Sequence, residues 1–350
     1  MRRLLPLAGV LACAAVTAGA WGAQRAAPPA GAITDVPGIR VGHHTLTERP
    51  TGCTVILAPP NTVGAYDQPG GAPATMETDL LAPENTISVV HAINLSGGSA
   101  YGLDSQGGVK RYLREQKVGV AISGTVVPIV PAASLLDLAV GGKPEVTPGA
   151  DCGYRAAAGA SAGPVAEGTV GAGAGATVGK FTGNRPMKGG VGTTSLAGPG
   201  GLIVGALMVV NSAGSIYDRR TGQVIAGVRT ADGLRLENPF ELIRAAGSVE
   251  PAALSNTSIG VVATNARLTK AQAKRVAIMA QDGFARAIFP SHTPGDGDTI
   301  FVLATGGLTG EPSVSRIGSL AAEAVSDAIL RAVREATGLP GYPAVRDLKR

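Results

Sequence analysis

Aromatic residues make up only 3% of this 350-residue chain, and cysteine and histidine occur three and four times. With so few stacking side chains, scattered Lys and Arg, and a formal net charge of only +5, no basic face interleaved with aromatics exists to hold nucleic acid. The cysteines form no metal-type cluster. His43, His44, His91 and His292 lack the i, i+4 spacing and accompanying Glu of a helical zinc site. His91, inside an apolar run, reads as a hydrogen-bonded core residue, and His43-His44 as a surface pair. No apolar stretch reaches the ~20 residues that span a bilayer, so no stable membrane partner is expected. The nearest approach to a Gly-x-Ser-x-Gly elbow, Gly97-Gly98-Ser99-Ala100-Tyr101, has tyrosine where the second glycine must let a helix pack. The string Gly175 to Lys180 resembles a phosphate-binding loop, but it has three intervening residues instead of four and is followed by Phe181, which cannot ligate magnesium. Serine triads, zinc and nucleotides are thereby set aside, and no cofactor or metal is implied.

What the chain does have is 45% hydrophobic content and 51 glycines without a Gly-X-Y period, the composition of a turn-rich globular protein with a large core. Arg2 and Arg3 precede an apolar stretch from Leu4 to about Ala18, followed by the small-residue site Ala18-Gly19-Ala20. This reads as a signal peptide over residues 1–20, a tether over 21–32 and a single domain over 33–350, in a secreted or periplasmic protein. Lipoprotein anchoring through Cys13 is the minor alternative. Cys53 and Cys152 then remain, and spacing leaves open whether they form a disulfide or stay as small buried apolar residues.

Short apolar runs separated by Gly, Pro and Asn, such as Cys53 to Leu57, predict strands, and Leu202 to Val210 reads as a buried strand fed by glycine-rich loops. Helical spacing predicts a helix over Ser99 to Gln116. The last hundred residues read β-α-β-α: Ser258 to Ala263, a helix from Thr269 to about Ile288, Thr299 to Ala304, and a helix from Ser319 to about Ala336. Ala273, Val276, Ala277, Ala280 and Phe284 form one apolar stripe; Leu320, Ala324, Ala328, Ile329 and Ala332 form the other, and Thr269 and Ser319 suit the N-caps. The pattern is α/β and leaves open a parallel sheet or a sandwich of sheets covered by helices.

At Asn256-Thr257-Ser258 a hydroxyl stands at the mouth of an apolar strand. Local physics reads a turn there. The chemical alternative is definite: with the backbone strained, Thr257 Oγ attacks the Asn256 carbonyl, the acyl group shifts from nitrogen to oxygen, and water releases a threonine amine. That amine can act as general base for its own hydroxyl.

Here the sequence resembles the L-aminopeptidase/D-Ala-esterase-amidase family, which includes β-aminopeptidases and nylon-oligomer hydrolases. The resemblance runs through Ile33-Thr34-Asp35-Val36-Pro37-Gly38-Ile39-Arg40-Val41-Gly42-His43, Gly70 to Pro73, Glu77 to Leu80, Gly97 to Leu103, Val127 to Ala133, Gly171 to Lys180, Lys188 to Thr193, Val210-Asn211, Asn256-Thr257 and Ala263 to Ala266. It implies a four-layer α-β-β-α sandwich of the N-terminal-nucleophile-hydrolase type, split into an α chain ending at Asn256 and a β chain beginning with the nucleophile, here Thr257. It further implies a homo-oligomer of αβ units. Asn211, ending a buried apolar strand, is the candidate amide donor to an oxyanion. Lys188, in Lys-Gly-Gly-x-Gly-Thr, is the candidate lysine that lowers the pKa of the threonine amine, with Lys180 competing for the role. Asp296 and Asp298 flank Gly297, and i, i+2 spacing puts both carboxylates on one face, where one orients the nucleophile and the other holds the first. The expected activity is aminopeptidase or amidase hydrolysis of amide and ester bonds in small peptides or peptide-like amides, with short amide oligomers as possible substrates. The alternatives are an acyltransferase of the ornithine acetyltransferase type and a processing-dead binding protein.

Overall fold

The computed structural model describes residues 31–181, 185–245 and 256–348. The expected signal segment, Cys13 and nearly all of the tether lie outside them.

Two five-stranded sheets dominate. The first runs in the order Arg40–Thr45, Gly52–Leu57, Ala92–Ser96, Ala132–Ser134, Thr75–Met76; the second runs Gly190–Ala197, Ile203–Val210, Ile259–Ala266, Thr299–Leu308, Val63–Asp67. Each sheet contains one parallel pair, Ala92–Ser96 with Ala132–Ser134 and Ile259–Ala266 with Thr299–Leu308. A parallel pair needs a crossover, and in the second sheet the helix Lys270–Ala280 supplies it.

Why these strands are apolar on both faces follows from what covers them. In Ile203–Val210, Val204, Ala206, Met208 and Val210 point to a helical layer, while Leu207 and Val209 point to the other sheet. Ile56, Ile93 and Leu95 of the first sheet meet Leu207, Val261 and Phe301 of the second, each fully buried. A fully buried side chain of this size contributes ~1.5–3 kcal/mol, so this inter-sheet layer is a principal source of stability. Helices Lys270–Ala280 and Val314–Arg334 cover the second sheet; Ser105–Glu115 and Ala150–Ala158 cover the first. The result is a four-layer α-β-β-α sandwich, one of the two arrangements the pattern left open.

The helix stripes are buried as read, apart from the partly buried Leu320, but two boundaries differ. Thr269 caps its helix, accepting from Gln272 N while the Gln272 side chain accepts from Thr269 N. That helix ends at Ala280 with Gln281 as its C-cap, and a short helix Asp282–Ala285 and a strand Ile288–Phe289 follow; a Cβ on Gly283, inside the short helix, would stand 2.5 Å from Ala322 O. The last helix starts at Val314 on a Ser313 cap, and Ser319 lies inside it, returning its hydroxyl to Ser315 O at 2.8 Å. Gly318, also inside it, packs closely on the helix Lys270–Ala280: a Cβ there would stand 2.4 Å from Met279 Sδ. The 99–116 segment begins as a 3-10 turn, Ser99–Asp104, and continues as the helix Ser105–Glu115.

His91 is a core residue, its Nδ1 accepting from Ile129 N. His43 departs from the expected surface pair. It pairs through Nδ1 with Thr54 Oγ1 at 2.9 Å, and burial pushes its pKa down to about 4. Cys53 and Cys152 form a disulfide between the strand Gly52–Leu57 and the helix Ala150–Ala158. It closes a loop with a sequence separation of 99. Cross-linking a loop of that length restricts the unfolded chain by about 4–5 kcal/mol. A Cys152→Ser variant should therefore lose about 4 kcal/mol in urea unfolding, and added reductant should lower the midpoint of the wild type but not of the variant.

Candidate active site

Sheet register gathers the site. Val209 stands opposite Ile259, and Ile259 stands beside Thr299, so the end of one strand and the starts of two others meet at one end of the second sheet. Asn211, Thr257 and the segment 296–298 follow from that alignment, and Asn256 forms a parallel bridge with Asp296. Thr257 N donates to Asn211 O at 2.8 Å. The Thr257 hydroxyl, in a side chain only 4% exposed, lies against the carbonyl oxygen of Asn256. The same oxygen accepts from Gly297 N at 3.2 Å.

The Asn211 side chain is fully buried and held from three directions. Its Oδ1 accepts from Thr177 N and from Lys180 Nζ, each at 2.9 Å, and its Nδ2 donates to Leu136 O at 3.0 Å. Lys180 Nζ also approaches Asn211 O at 3.5 Å. Lys180 and the Thr257 nitrogen thus share one carbonyl acceptor. Burial pushes the Lys180 pKa down to about 7, with Asp296, Asp137 and Asp298 pulling the other way.

Lys188, expected here, is committed elsewhere. Its three ammonium hydrogens go to Gly173 O, Ala176 O and Gly189 O at 2.8, 2.8 and 3.0 Å, which is all a lysine can donate. Burial pushes its pKa down to about 7 as well. Its bonds reach Asn211 only through the turn that presents Thr177 N.

Both aspartates of the 296–298 segment are buried, with unequal surroundings. Asp298 Oδ1 accepts from Ser258 N at 2.8 Å, and its Oδ2 accepts from His292 N at 3.0 Å and meets His292 Nδ1 at 2.9 Å. Asp296 Oδ2 accepts from Thr293 N at 2.8 Å, but its Oδ1 has no hydrogen-bond partner among the described residues. Burial, with the Asp298 charge beside it, raises the Asp296 pKa. Among the described residues no group of three or more His, Cys, Asp and Glu is arranged to hold a metal.

The structure therefore brings together Thr257, Asn211, Asp296, Asp298 and Lys180, and leaves Lys188 outside. Sequence reasoning missed Thr177, His292, Ser258 and the Gly297 N–H. His292 carried a signal, standing six residues before Asp298; the backbone donors of Thr177, Ser258 and Gly297 carried none.

The family model described as peptidase family S58 matches residues 31–346. An uncharacterized aminopeptidase of Mycobacterium bovis is 43% identical over 342 residues, covering 90% of this chain and 97% of that protein. A 6-aminohexanoate-oligomer endohydrolase of Kocuria is 30% identical over 316 residues, covering 86% and 85%. Among solved structures, a Burkholderia β-aminopeptidase superimposes with a TM-score of 0.63 at 28% identity, covering 87% of each chain. The L-aminopeptidase D-Ala-esterase/amidase of Ochrobactrum anthropi, described as a variant of the Ntn hydrolase fold, does so at 0.66 with 19% identity over 90% of each chain. At that identity the second superposition speaks for the fold alone.

Proposed function

The chain belongs to peptidase family S58 and is a hydrolase acting on amide bonds; from that premise we propose that it cuts itself between Asn256 and Thr257 and uses the freed Thr257 as its nucleophile. The observation that carries this reading is the Thr257 hydroxyl lying against the carbonyl of the residue before it. Thr257 Oγ attacks Asn256 C, the C–N bond breaks, and the nitrogen takes the proton that leaves Oγ. The resulting ester is hydrolysed to an Asn256 carboxylate and a Thr257 amine.

In the mature site, Thr257 Oγ attacks the substrate carbonyl while its own amine accepts the proton, and water later releases the acyl group. Lys180, sharing the Asn211 carbonyl with that nitrogen, keeps the amine from protonating through like-charge repulsion. One Nδ2 hydrogen of Asn211 is on Leu136 O; the other is the donor to the substrate oxyanion. Asp298 orients the start of the nucleophile strand through Ser258 N, and Asp296, its pKa raised by burial, exchanges a proton beside it. The substrates are small peptides or amides with a free amino end, including their esters; the relatives named for 6-aminohexanoate oligomers extend the range to short amide oligomers. The basic and apolar start of the chain together with the Cys53–Cys152 disulfide supports export to an oxidising compartment. The two cut chains remain one domain, and αβ units associate into a homo-oligomer.

The mass of the purified protein under denaturing conditions tests the reading. Two fragments are expected, the smaller beginning at Thr257. A single chain with no such fragment, however long it is incubated, overturns it.

A further inference from the structure

We propose that the backbone N–H of Gly297 is the oxyanion donor of the self-cleavage step, which makes Asp296-Gly297-Asp298 a processing loop whose central amide is a catalytic group. This rests on the self-cleavage reading above and names the group that polarises the bond to be cut.

The 256–257 peptide is clamped at both ends. Its N–H donates to Asn211 O at 2.8 Å, and its carbonyl accepts from Gly297 N at 3.2 Å, while the Thr257 hydroxyl lies against the same oxygen. A length of 3.2 Å is at the long end of an ordinary N–H···O bond, so the contact has room to shorten as the carbonyl oxygen takes on charge. The donor is also held in place. The peptide unit that carries Gly297 N–H has the Asp296 carbonyl at its other end, which accepts from Ala72 N at 2.8 Å. Beyond it, Gly297 O accepts from Thr299 Oγ1 at 3.0 Å. A dipole fixed before reaction and aimed at the oxygen where charge develops needs no reorganisation during the step.

Glycine at this position is explained by the same geometry. Gly297 is not among the residues with positive φ, so its backbone conformation makes no demand for glycine. Space does. A Cβ at 297 would stand 2.7 Å from Thr257 Oγ1 and 2.8 Å from Ala72 O. Only hydrogen lets the 296–298 segment approach closely enough for its amide to reach the Asn256 carbonyl while the hydroxyl stays in place.

In the step itself, Thr257 Oγ bonds to Asn256 C and the carbonyl electron pair moves onto oxygen, where Gly297 N–H holds it. Collapse breaks the C–N bond, and the nitrogen keeps its contact with Asn211 O and takes the hydroxyl proton. Water then cleaves the ester at its acyl carbon, giving the Asn256 carboxylate and the restored Thr257 hydroxyl. No other reactant is needed.

The test replaces Gly297 by glycolic acid through nonsense suppression in the full-length chain, which exchanges N–H for oxygen and adds no atom. Cleavage is followed by intact mass. Loss of one oxyanion donor should slow it about 100-fold or more relative to wild type. In parallel, a Gly297→Ala variant is incubated with hydroxylamine, which captures the ester. A folded alanine variant should stay uncut with or without it, because the ester never forms; prompt cleavage by hydroxylamine would show that the ester forms without this geometry and would overturn the proposal. Should the alanine variant fail to fold, the glycolate variant decides alone. Cleavage of the glycolate variant at the wild-type rate overturns the role of the N–H while leaving self-processing intact, whereas an uncut wild type sinks the self-processing reading itself.

Discussion

A Thr257→Ala variant is expected to persist as one uncut polypeptide and to hydrolyse aminoacyl amides no faster than the site does without a nucleophile. The change removes the hydroxyl and a methyl group but keeps the backbone N–H that donates to Asn211 O, the bridge from Asn256 to Asp296, and the strand register behind them. The fold should therefore survive, with a stability change of about 1 kcal/mol, a typical value for a point substitution. Activity should not. Removing a nucleophile that works as a unit with its base costs on the order of 10⁶ in kcat where it has been dissected, and here the loss is compounded because the amine that serves as base is never uncovered. Thr257→Ser keeps the hydroxyl, so it should still cut and still turn over, more slowly on both counts. Intact mass and initial rates on an aminoacyl p-nitroanilide read both outcomes. Amidase activity in a homogeneous, uncut alanine variant would remove Thr257 from the mechanism.

Legibility in the sequence followed the range of the cause. The continuous apolar run at Leu202 to Val210 and the Ala-rich helix stripes are local consequences of burial, and both elements are where periodicity put them. Helix ends were less legible because distant partners set them: the last helix reads as starting at Ser319, yet it begins at Val314 and carries Gly318 against Met279 of another helix. The same holds at the site. Thr257, Asn211 and the 296–298 aspartates were readable because each stands next to an apolar strand in the chain, and strand ends in register converge. The choice between Lys180 and Lys188 was not readable. Both lie in glycine-rich segments, and only pairing separates them: Lys188 is in the strand Met187–Lys188, opposite Thr177, whereas Lys180 lies past the end of Thr177–Val178 and reaches Asn211. Likewise, Gly297 contributes a backbone N–H, which has no residue-type signature at all.

The two lysines should accordingly fail in different ways. Methionine keeps most of the lysine stem without the charge, so Lys180→Met removes an electrostatic neighbour of the Thr257 amine and one hydrogen bond to Asn211 Oδ1. Without the like charge, the amine holds its proton to higher pH. The acid limb of kcat/KM should move upward, and kcat at neutral pH should fall about 100-fold or more, as general-base contributions imply. Rates are to be normalised to the fraction cut, so that slow processing is not read as slow turnover. Stability should respond in a defined direction too. The folded-state pKa of Lys180 is lowered from 10.5 to about 7, so between those values the unfolded chain binds the proton that the folded chain has released. Its contribution to stability therefore rises with pH across that window, and in Lys180→Met the rise should be smaller. Lys188→Met instead leaves the carbonyls of Gly173, Ala176 and Gly189 without their buried donor. Each orphaned acceptor costs ~1–3 kcal/mol, partly offset by no longer burying a charge, so a loss of about 3 kcal/mol is expected in urea unfolding. Activity in the folded fraction should fall much less than in Lys180→Met. If Lys188→Met proves stable while its acid limb shifts and Lys180→Met leaves the limb unmoved, the lysine beside the nucleophile is Lys188, and the contact between Lys180 and Asn211 is only structural.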